Sequence, residues 1–542
     1  MRQRDREAGQ SLVLVGVGMV VLIGVLGLAI DFGYYRYVRR ELQTAADAAA
    51  LAGAMDLSYL DVTTAAQSAS SENGFTNGAN GVTVTVYNPP HDGPYASSNY
   101  PTYVEAVVTQ NNVPQFFSQI LGVRPITLSA SAVAAGGINC IYGLDTGSGA
   151  LTVFLTIVQS ACGVVDNDNL NLTVAALCAP SIQLKGSQTG FLGLACGPGF
   201  RNEAPVRITT AVPDPLAALN PPAYNAPTAC PGGGTSVLSI TAANVAANNP
   251  LTPALAAGHC GGVKITGITA ASNFKVQPGT YYGTLSAASG TDAVFTIVNS
   301  SVTFTGGGTY NLYNTNTSTS SNPSAWGIRI NSGFFGQSQV SFGAGNYDVV
   351  GGITDGGAGF FGSFLNFNST AGSANIIILN GGGLNVVGSS GTGSGTAAQA
   401  SGGVTFYNTG TAAPTGGATK YGPINSYFDF SGAFCGSRCA MQAPTSGAFA
   451  GILFFQDRAN SSAATFAGDL NLNRGSGLVA HTGAYYFHDA TVNFDFDFGA
   501  GAPYTLLVAK DVTWIFNFTF NNNFASLPNG SPLRQGTAVL VQ

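Results

Sequence analysis

At 542 residues the chain exceeds what one small core can hold, so two or three folded units are expected. Only 8% of residues are charged, against ~25% in ordinary soluble domains, while Gly reaches 73 residues, so the surface is polar but hardly ionic. A formal charge of −6 with no basic stripe argues against a nucleic-acid partner.

The first element in chain order is apolar. Leu12 to Ile30, LVLVGVGMVVLIGVLGLAI, has no charged or polar side chain, and as a helix rising ~1.5 Å per residue it covers roughly 28 Å, about the hydrocarbon thickness of a bilayer. Arg2, Arg4 and Arg6 precede it and Arg36, Arg39 and Arg40 follow, so the basic count is tied and does not orient the span. A cleaved secretory signal is the alternative, but its apolar core would run ~7–15 residues to a small-residue cleavage site. Here Asp31, aromatics and arginines follow instead, and a retained anchor is expected. Gly16, Gly24 and Gly27 fall within one ~80° arc of such a helix, which would let a neighbouring helix approach closely, although Gly is common in membrane helices anyway.

The next stretch, ELQTAADAAALAGAMDL from Glu41 to Leu57, extends the helical pattern with small side chains at Ala45, Ala46, Ala49, Ala50 and Gly53. Alanine is the best helix former, so the segment can be stiff while burying little surface of its own. One expectation is a continuous rod that packs lengthwise against other helices through Gly16, Gly24, Gly27, Ala46, Ala50 and Gly53. The alternative is a helix docked on its own domain.

Residues 61–136 read as a small α/β domain. GVTVTVY (Gly81 to Tyr87), TYVEAVVTQ (Thr102 to Gln110) and ITLSASAVA (Ile126 to Ala134) alternate as strands do. VPQFFSQILG places Phe116, Phe117, Ile120 and Leu121 at helical spacing, with Pro114 near the start and Gly122 as a stop. A sheet against one or two helices follows, for which a pilin-like head is an analogy.

Residues 137–542 are expected to be all-β: short runs such as VKITGI, AVFTIV, NIIILNGG and TLLVAKDVTWIFNFTF alternate with Gly, Asn and Ser clusters. GTYYG at Gly279, GTYNL at Gly308 and GNYDV at Gly345 repeat a Gly-x-Tyr start at irregular spacing, which points to a parallel β-helix, with a pair of large β-sandwiches as the alternative. The expected fold class is therefore mainly β. Residues 1–60 form a cytoplasmic tail, transmembrane anchor and Ala-rich helix, 61–136 a small α/β pilin-like region, and 137–542 a large Gly/Asn-rich extracytoplasmic domain.

Eight cysteines, Cys140, Cys162, Cys178, Cys196, Cys230, Cys260, Cys435 and Cys439, all lie beyond the anchor. An even number in a region expected to be exported points to disulfides in an oxidising compartment, with pairing open. Zinc is the alternative, but only His259 adjoins a cysteine and the spacings fit no common zinc pattern, so no metal and no cofactor is expected. Catalytic constellations are weak. Asp495 and Asp497 in NFDFDFG share one strand face and read as its solvated side, with the phenylalanines inward. Asp457 beside Arg458 reads as a surface pair, and the Asp-Thr-Gly triplet at Asp145 as a chance match to aspartic proteases. No phosphate loop, nucleophile elbow or redox CxxC is present, and no catalytic residue is assigned.

The stretch GQSLVLVGVGMVVLIGVLGLAIDFGYYRYVRRELQTAADAAALAGA, Gly9 to Ala54, resembles the N-terminal segment of TadG-like proteins of tight-adherence (Flp, type IVb) pilus assembly systems. The resemblance rests on the basic tail, the span ending in Asp31, the aromatic and basic turn Tyr34 to Arg40, and LQTAADAAALAGA from Leu42 to Ala54. CIYGLDTGSGALTVFLTIVQSACGVVDNDN (Cys140 to Asn169), VPDPLAALNPP (Val212 to Pro222) and the segment Pro278 to Tyr310 are similar to parts of large members of that family. Where processed pilins carry Glu five residues after the cleavage glycine, Gly9 here is followed by Leu14, so the anchor is expected to be kept. The resemblance implies a non-enzymatic, membrane-anchored envelope component that packs against the inner membrane and other pilus-assembly or pilin-like membrane proteins. Uncharged Asn, Thr and Tyr arrays also suit contact with an envelope or surface glycan. A surface-tethered carbohydrate-active enzyme or glycan-binding adhesin is the alternative function.

Overall fold

The computed structural model describes residues 7–59, 61–96, 103–137, 139–147, 149–197, 200, 204–225, 228–283, 293–314, 326–331, 336–355, 363–367, 375–380, 384–386, 397–399, 403–409, 426–429, 441–467, 481–494, 502–515, 517–527, 531–533 and 537–541. The chain divides into two units, Met1–Ile138 with Gln535–Gln542, and Asn139–Arg534.

The first unit is a long helix on a small sheet. Helix α1, Glu7–Met55, is uninterrupted, and a short 3-10 turn leads from it to α2, Val62–Glu72. Strands β1 (Val82–Tyr87), β2 (Tyr103–Val113) and β3 (Ile126–Gly137) are antiparallel neighbours, and Thr537–Leu540 adds antiparallel to β3. Alternation sets the inner face: Val104, Ala106 and Val108 of β2 are buried opposite the buried Ala134, Ala132 and Ala130 of β3.

The second half of α1 packs on the sheet and α2, while Gly27 and Asp31 meet the β2–β3 loop. Leu42, Ala45, Ala46, Ala49 and Ala50 are fully buried, spaced three and four apart as one helix face requires. Their small side chains set how close the helix lies. A Cβ on Gly136 would sit 2.3 Å from the carbonyl oxygen of Ala54, so glycine is required there for backbone to meet backbone.

Two elements differ from the sequence expectation. The stretch VPQFFSQILG forms only one 3-10 turn, Ser118–Leu121, closed by Gly122 at φ 78, and leaves Phe116 and Ile120 exposed rather than in a core. The Pro125 that follows disfavours a helical Arg124, so no room remains to propagate a costly nucleus. The strand Thr537–Leu540 belongs to the first sheet rather than to the last domain.

Every strand ladder described in the second unit is parallel. Between Val263 and Asn408 each strand pairs with the one three positions later, so the chain winds through three ladders in turn. One runs Gly279–Gly283, Gly308–Asn314, Gly345–Val350, Asn375–Asn380 and Val404–Asn408. A second runs Val263–Thr266, Ala293–Val298, Trp326–Asn331, Ile353–Asp355 and Leu384–Val386. The third runs Phe274–Val276, Ser301–Phe304, Ser338–Phe342, Ser363–Phe367 and Ala397–Gln399.

The winding starts in the middle of the stack. Asn139–Gly143 pairs on one side with Gly163–Asp166 and on the other with Thr505–Trp514. From Asn139 the chain winds outward to Val206–Arg207, returns through a Pro-rich connector, resumes at Leu238–Thr241 and winds back until Thr505–Trp514 closes on the first coil.

The Gly-x-Tyr repeats have a structural reason. Tyr281, Tyr310 and Tyr347 point inward, and each hydroxyl donates to a carbonyl at its own corner: Gln277 at 2.8 Å, Thr305 at 2.7 Å and Gly343 at 2.6 Å. A buried phenol needs such a partner. Tyr310 and Tyr347 stack at 4.7 Å with rings 3° apart, in register because Gly308 pairs with Gly345. A Cβ on Gly345 would lie 2.5 Å from the Gly308 carbonyl oxygen, so the tight corner selects glycine. GTYYG is offset: Gly279 pairs with Tyr310.

Candidate membrane-proximal site

In the first half of α1 the apolar residues Leu12 to Ile30 are exposed almost throughout, and at Asp31 this changes. The Asp31 carboxylate is buried, although it directly follows the apolar run. It accepts the backbone N–H of Phe116 at 2.9 Å, of Phe117 at 3.0 Å and of Ser118 at 2.6 Å, together with the Ser118 hydroxyl at 2.5 Å. Four donors converge on one carboxylate, the arrangement that makes burying an anion tolerable and that satisfies the free N–H groups at the start of the 3-10 turn. Tyr34, one turn later, meets the Phe116 ring edge-on at 5.3 Å.

The residues assigned to helix packing fall into two classes. A Cβ at Gly16 or Gly24 would meet nothing within 4 Å, so both stand open. At Gly27 it would come within 2.7 Å of Phe117, so this glycine is taken by the β2–β3 loop. Ala46 and Ala50 are fully buried in their own unit, and a Cβ at Gly53 would sit 3.1 Å from Val104 and 3.3 Å from Ala66 and Val62. The chain's own sheet and α2 occupy the alanine face that was expected to meet other helices, because small side chains suit a close helix-on-sheet approach as well as a helix-on-helix one.

Residues 9–56 match the family model of the putative Flp pilus-assembly TadE/G-like proteins. The TadE/G-like segment coincides with α1: its apolar half is the helix long and apolar enough to cross a membrane, with mean hydropathy 2.9, and its alanine half is the part buried on the sheet. No curated protein and no solved structure matches the chain.

Beyond the TadE/G-like segment, Asp457, Arg458 and Asp145, singled out for chemistry, are engaged in structural hydrogen bonds. Asp457 and Arg458 do not form the expected surface pair. Asp457 accepts from the Tyr407 hydroxyl, whereas Arg458 turns to the connector and donates to Tyr486 Oη at 2.5 Å and to the carbonyls of Leu216 at 2.5 Å and Leu219 at 3.0 Å. Its Nε lies 3.4 Å from Asp214 Oδ2, and its guanidinium sits 5.2 Å from the Tyr486 ring centroid. Asn167 grips the same connector through both backbone groups of Val212, at 2.7 and 2.9 Å. Pairing by register could not show this clamp, because its partners lie on non-sequential coils.

Asp145 accepts the N–H groups of Thr146 and Gly147, a local turn rather than half of a protease dyad. Asp495 and Asp497, like Cys435 and Cys439, lie outside the described residues. The other six cysteines form Cys140–Cys162, Cys178–Cys196 and Cys230–Cys260, so the His259–Cys260 step carries no free thiolate for zinc. Among the described residues no group of three His, Cys, Asp or Glu side chains is placed to hold a metal. A cavity of about 370 Å³ lies between the connector and a facing loop, lined by Pro215, Leu216, Leu219, Ile452, Leu527 and Pro532 among others, with no charged side chain to act as acid or base.

Among the buried titratable groups of the stack, His481 and Asp166 are shifted in opposite directions. Burial holds the His481 imidazole down at about 3, with Nδ1 2.6 Å from the Tyr485 hydroxyl. Burial lifts the Asp166 carboxyl to about 7, against a backbone N–H bond from Asp168 and with Asp168 and Asp511 nearby adding repulsion.

Proposed function

We propose that this protein is a membrane-anchored, non-enzymatic component of tight-adherence (Flp, type IVb) pilus assembly in a bacterial cell envelope. The observation that carries the reading is the coincidence of the family match, residues 9–56, with a single helix whose first half is exposed and apolar. The apolar run anchors the chain in the inner membrane, and Gly16 and Gly24, open on its surface, receive a helix of another pilus-assembly or pilin-like protein. The alanine half carries a four-stranded sheet, which supports a pilin-like head.

The second unit is a parallel β-helix on the extracytoplasmic side. The winding of strands through three parallel ladders supports the fold, and three disulfides support an oxidising compartment. Its polar corners present a surface for envelope or glycan contact. The carboxylates engaged in structural hydrogen bonds, Asp214, Asp457 and Asp31, support a role without chemistry.

The test is the amount of pilin sheared from cells deleted for this chain, against the parent and against cells given back either the native chain or one with a foreign anchor in place of residues 9–56. Loss of pili that only the native chain restores is expected. Normal pili in the deletion strain would overturn the assignment.

A further inference from the structure

The loop between β2 and β3 carries apolar side chains that its own unit leaves uncovered. Phe116 is 55% exposed, Phe117 37%, Ile120 79% and Val123 47%. An exposed cluster of this kind on a Gly- and Asn-rich protein calls for an occupant. The loop is not loose: the Asp31 carboxylate binds three of its backbone N–H groups and the Ser118 hydroxyl, and Gln115 Nε2 donates to the Arg124 carbonyl at 2.8 Å.

Its depth against α1 identifies the occupant. Phe117 lies on Gly27, where even a Cβ would come within 2.7 Å of its ring. Gly27 is one turn before Asp31, which at ~1.5 Å per residue is about 6 Å further into the uncharged run. A bilayer that covers Leu12 to Ile30 therefore also reaches the Phe117 ring, the anchor point of this exposed loop. Above that level the side chains change character: Arg36, Arg39, Arg40 and Arg124 are all exposed, and Arg36 lies over the Phe32 ring at 4.9 Å from its centroid. Aromatic and aliphatic groups at the apolar boundary, with arginines just beyond it, match the layering of a phospholipid interface.

We propose that the loop Phe116–Val123 is a second membrane contact, inserted into the interfacial layer of a phospholipid bilayer beside the anchor. It holds the first unit against the membrane instead of letting it swing on α1. This rests on the reading of Leu12 to Ile30 as a membrane span.

The test uses the full chain reconstituted into vesicles of phosphatidylcholine and phosphatidylglycerol, with and without brominated acyl chains that quench tryptophan on contact. The parent, with Trp326 and Trp514 only, sets the background. Ile120→Trp reports the loop and Val20→Trp the span, with circular dichroism confirming folding of each. Loss of the added emission in both variants is expected, and adding Asp31→Ala should restore it for Ile120→Trp while leaving Val20→Trp quenched. Quenching at Val20→Trp alone would overturn the loop contact and leave the anchor standing. Quenching at neither would overturn the span and the loop contact together. Blue-shifted but unquenched emission at Ile120→Trp would show a protein surface over the loop and would overturn the lipid assignment.

Discussion

Asp214 and Arg458 lie 244 residues apart in sequence and 3.4 Å apart in the second unit, and together they hold the Pro-rich connector on the strand ladder. The pair is part of a shared network, since Tyr486 Oη donates to Asp214 at 2.7 Å and the Arg458 guanidinium also satisfies two connector carbonyls. Arg458→Met keeps the stem and removes every guanidinium donor, leaving the largely covered Asp214 carboxylate to the Tyr486 hydroxyl and to His488, whose Nε2 is 3.9 Å away. We expect a loss of about 2–4 kcal/mol in urea unfolding of the full chain. Asp214→Asn should cost less, about 1–2 kcal/mol, because the arginine keeps its carbonyl partners. Equal effects, or none, would contradict the clamp.

Ala46→Leu and Ala50→Leu separate folding from assembly. Both positions are fully buried against the chain's own sheet, so each leucine should destabilise the first unit by about 1–3 kcal/mol through overpacking. Gly136→Ala should do at least as much harm, because what its Cβ meets is backbone, the Ala54 carbonyl. Gly16→Leu and Gly24→Leu meet nothing in the unit and should leave stability unchanged while lowering pilin recovery. Wild-type pilin levels in those two glycine variants would remove them from any helix interface.

Burial of His481 and of Asp166 predicts opposite pH limbs. The folded-state value of His481 is depressed from 6.5 to about 3, so the unfolded chain takes up a proton first as pH falls. Its contribution is whole above 6.5 and is lost on the way down to 3, at up to about 1.4 kcal/mol per pH unit. Asp166 is raised from 3.8 to about 7, so the folded chain holds the extra proton. Its contribution is whole below 3.8 and is lost as pH rises through 7. Asp166→Asn should therefore flatten the decline in urea midpoint between pH 5 and pH 7.5 and leave the acid limb in place. An unchanged neutral limb in that variant would show that Asp166 is not protonated in the folded chain.

Cys230–Cys260 joins the connector to the first coil of the far end and closes a loop with a sequence separation of 30. Replacing both by serine should lower stability by about 3–4 kcal/mol on the loop-entropy model. Non-reducing mass mapping of the second unit should find this pair with Cys140–Cys162 and Cys178–Cys196. Any other pairing of these six would contradict the coil register.

What could be read from the sequence followed the strength of local pattern. Strands in the first unit are legible because Val and Ala recur at every second position, as at Val104, Ala106 and Val108. The alanine face of α1 was legible as a packing surface but not as to its partner, since small side chains serve close approach to any neighbour. The turn at Ser118 is hidden in the sequence because Phe116, Phe117 and Ile120 have helical spacing, and only the distant Asp31 reveals that their backbone is held elsewhere. Inward tyrosines were visible as Gly-x-Tyr repeats, whereas their carbonyl partners depend on corner geometry that repeats do not encode. The Arg458 clamp had no local signature, because its partners come from a segment more than two hundred residues away.

The closure of Thr505–Trp514 on Asn139–Gly143 sets an order of events for a chain that emerges in sequence. The coils built first expose an open hydrogen-bonding edge at Ile141 until Leu507 arrives, and β3 keeps its own open edge until Thr537–Leu540 does. Both units thus wait on late-synthesised residues. On the proposed extracytoplasmic placement, export must deliver most of the polypeptide before either fold can seal, so a holding factor at the exit side of the membrane would have something definite to protect: two unpaired strand edges, each awaiting its own segment.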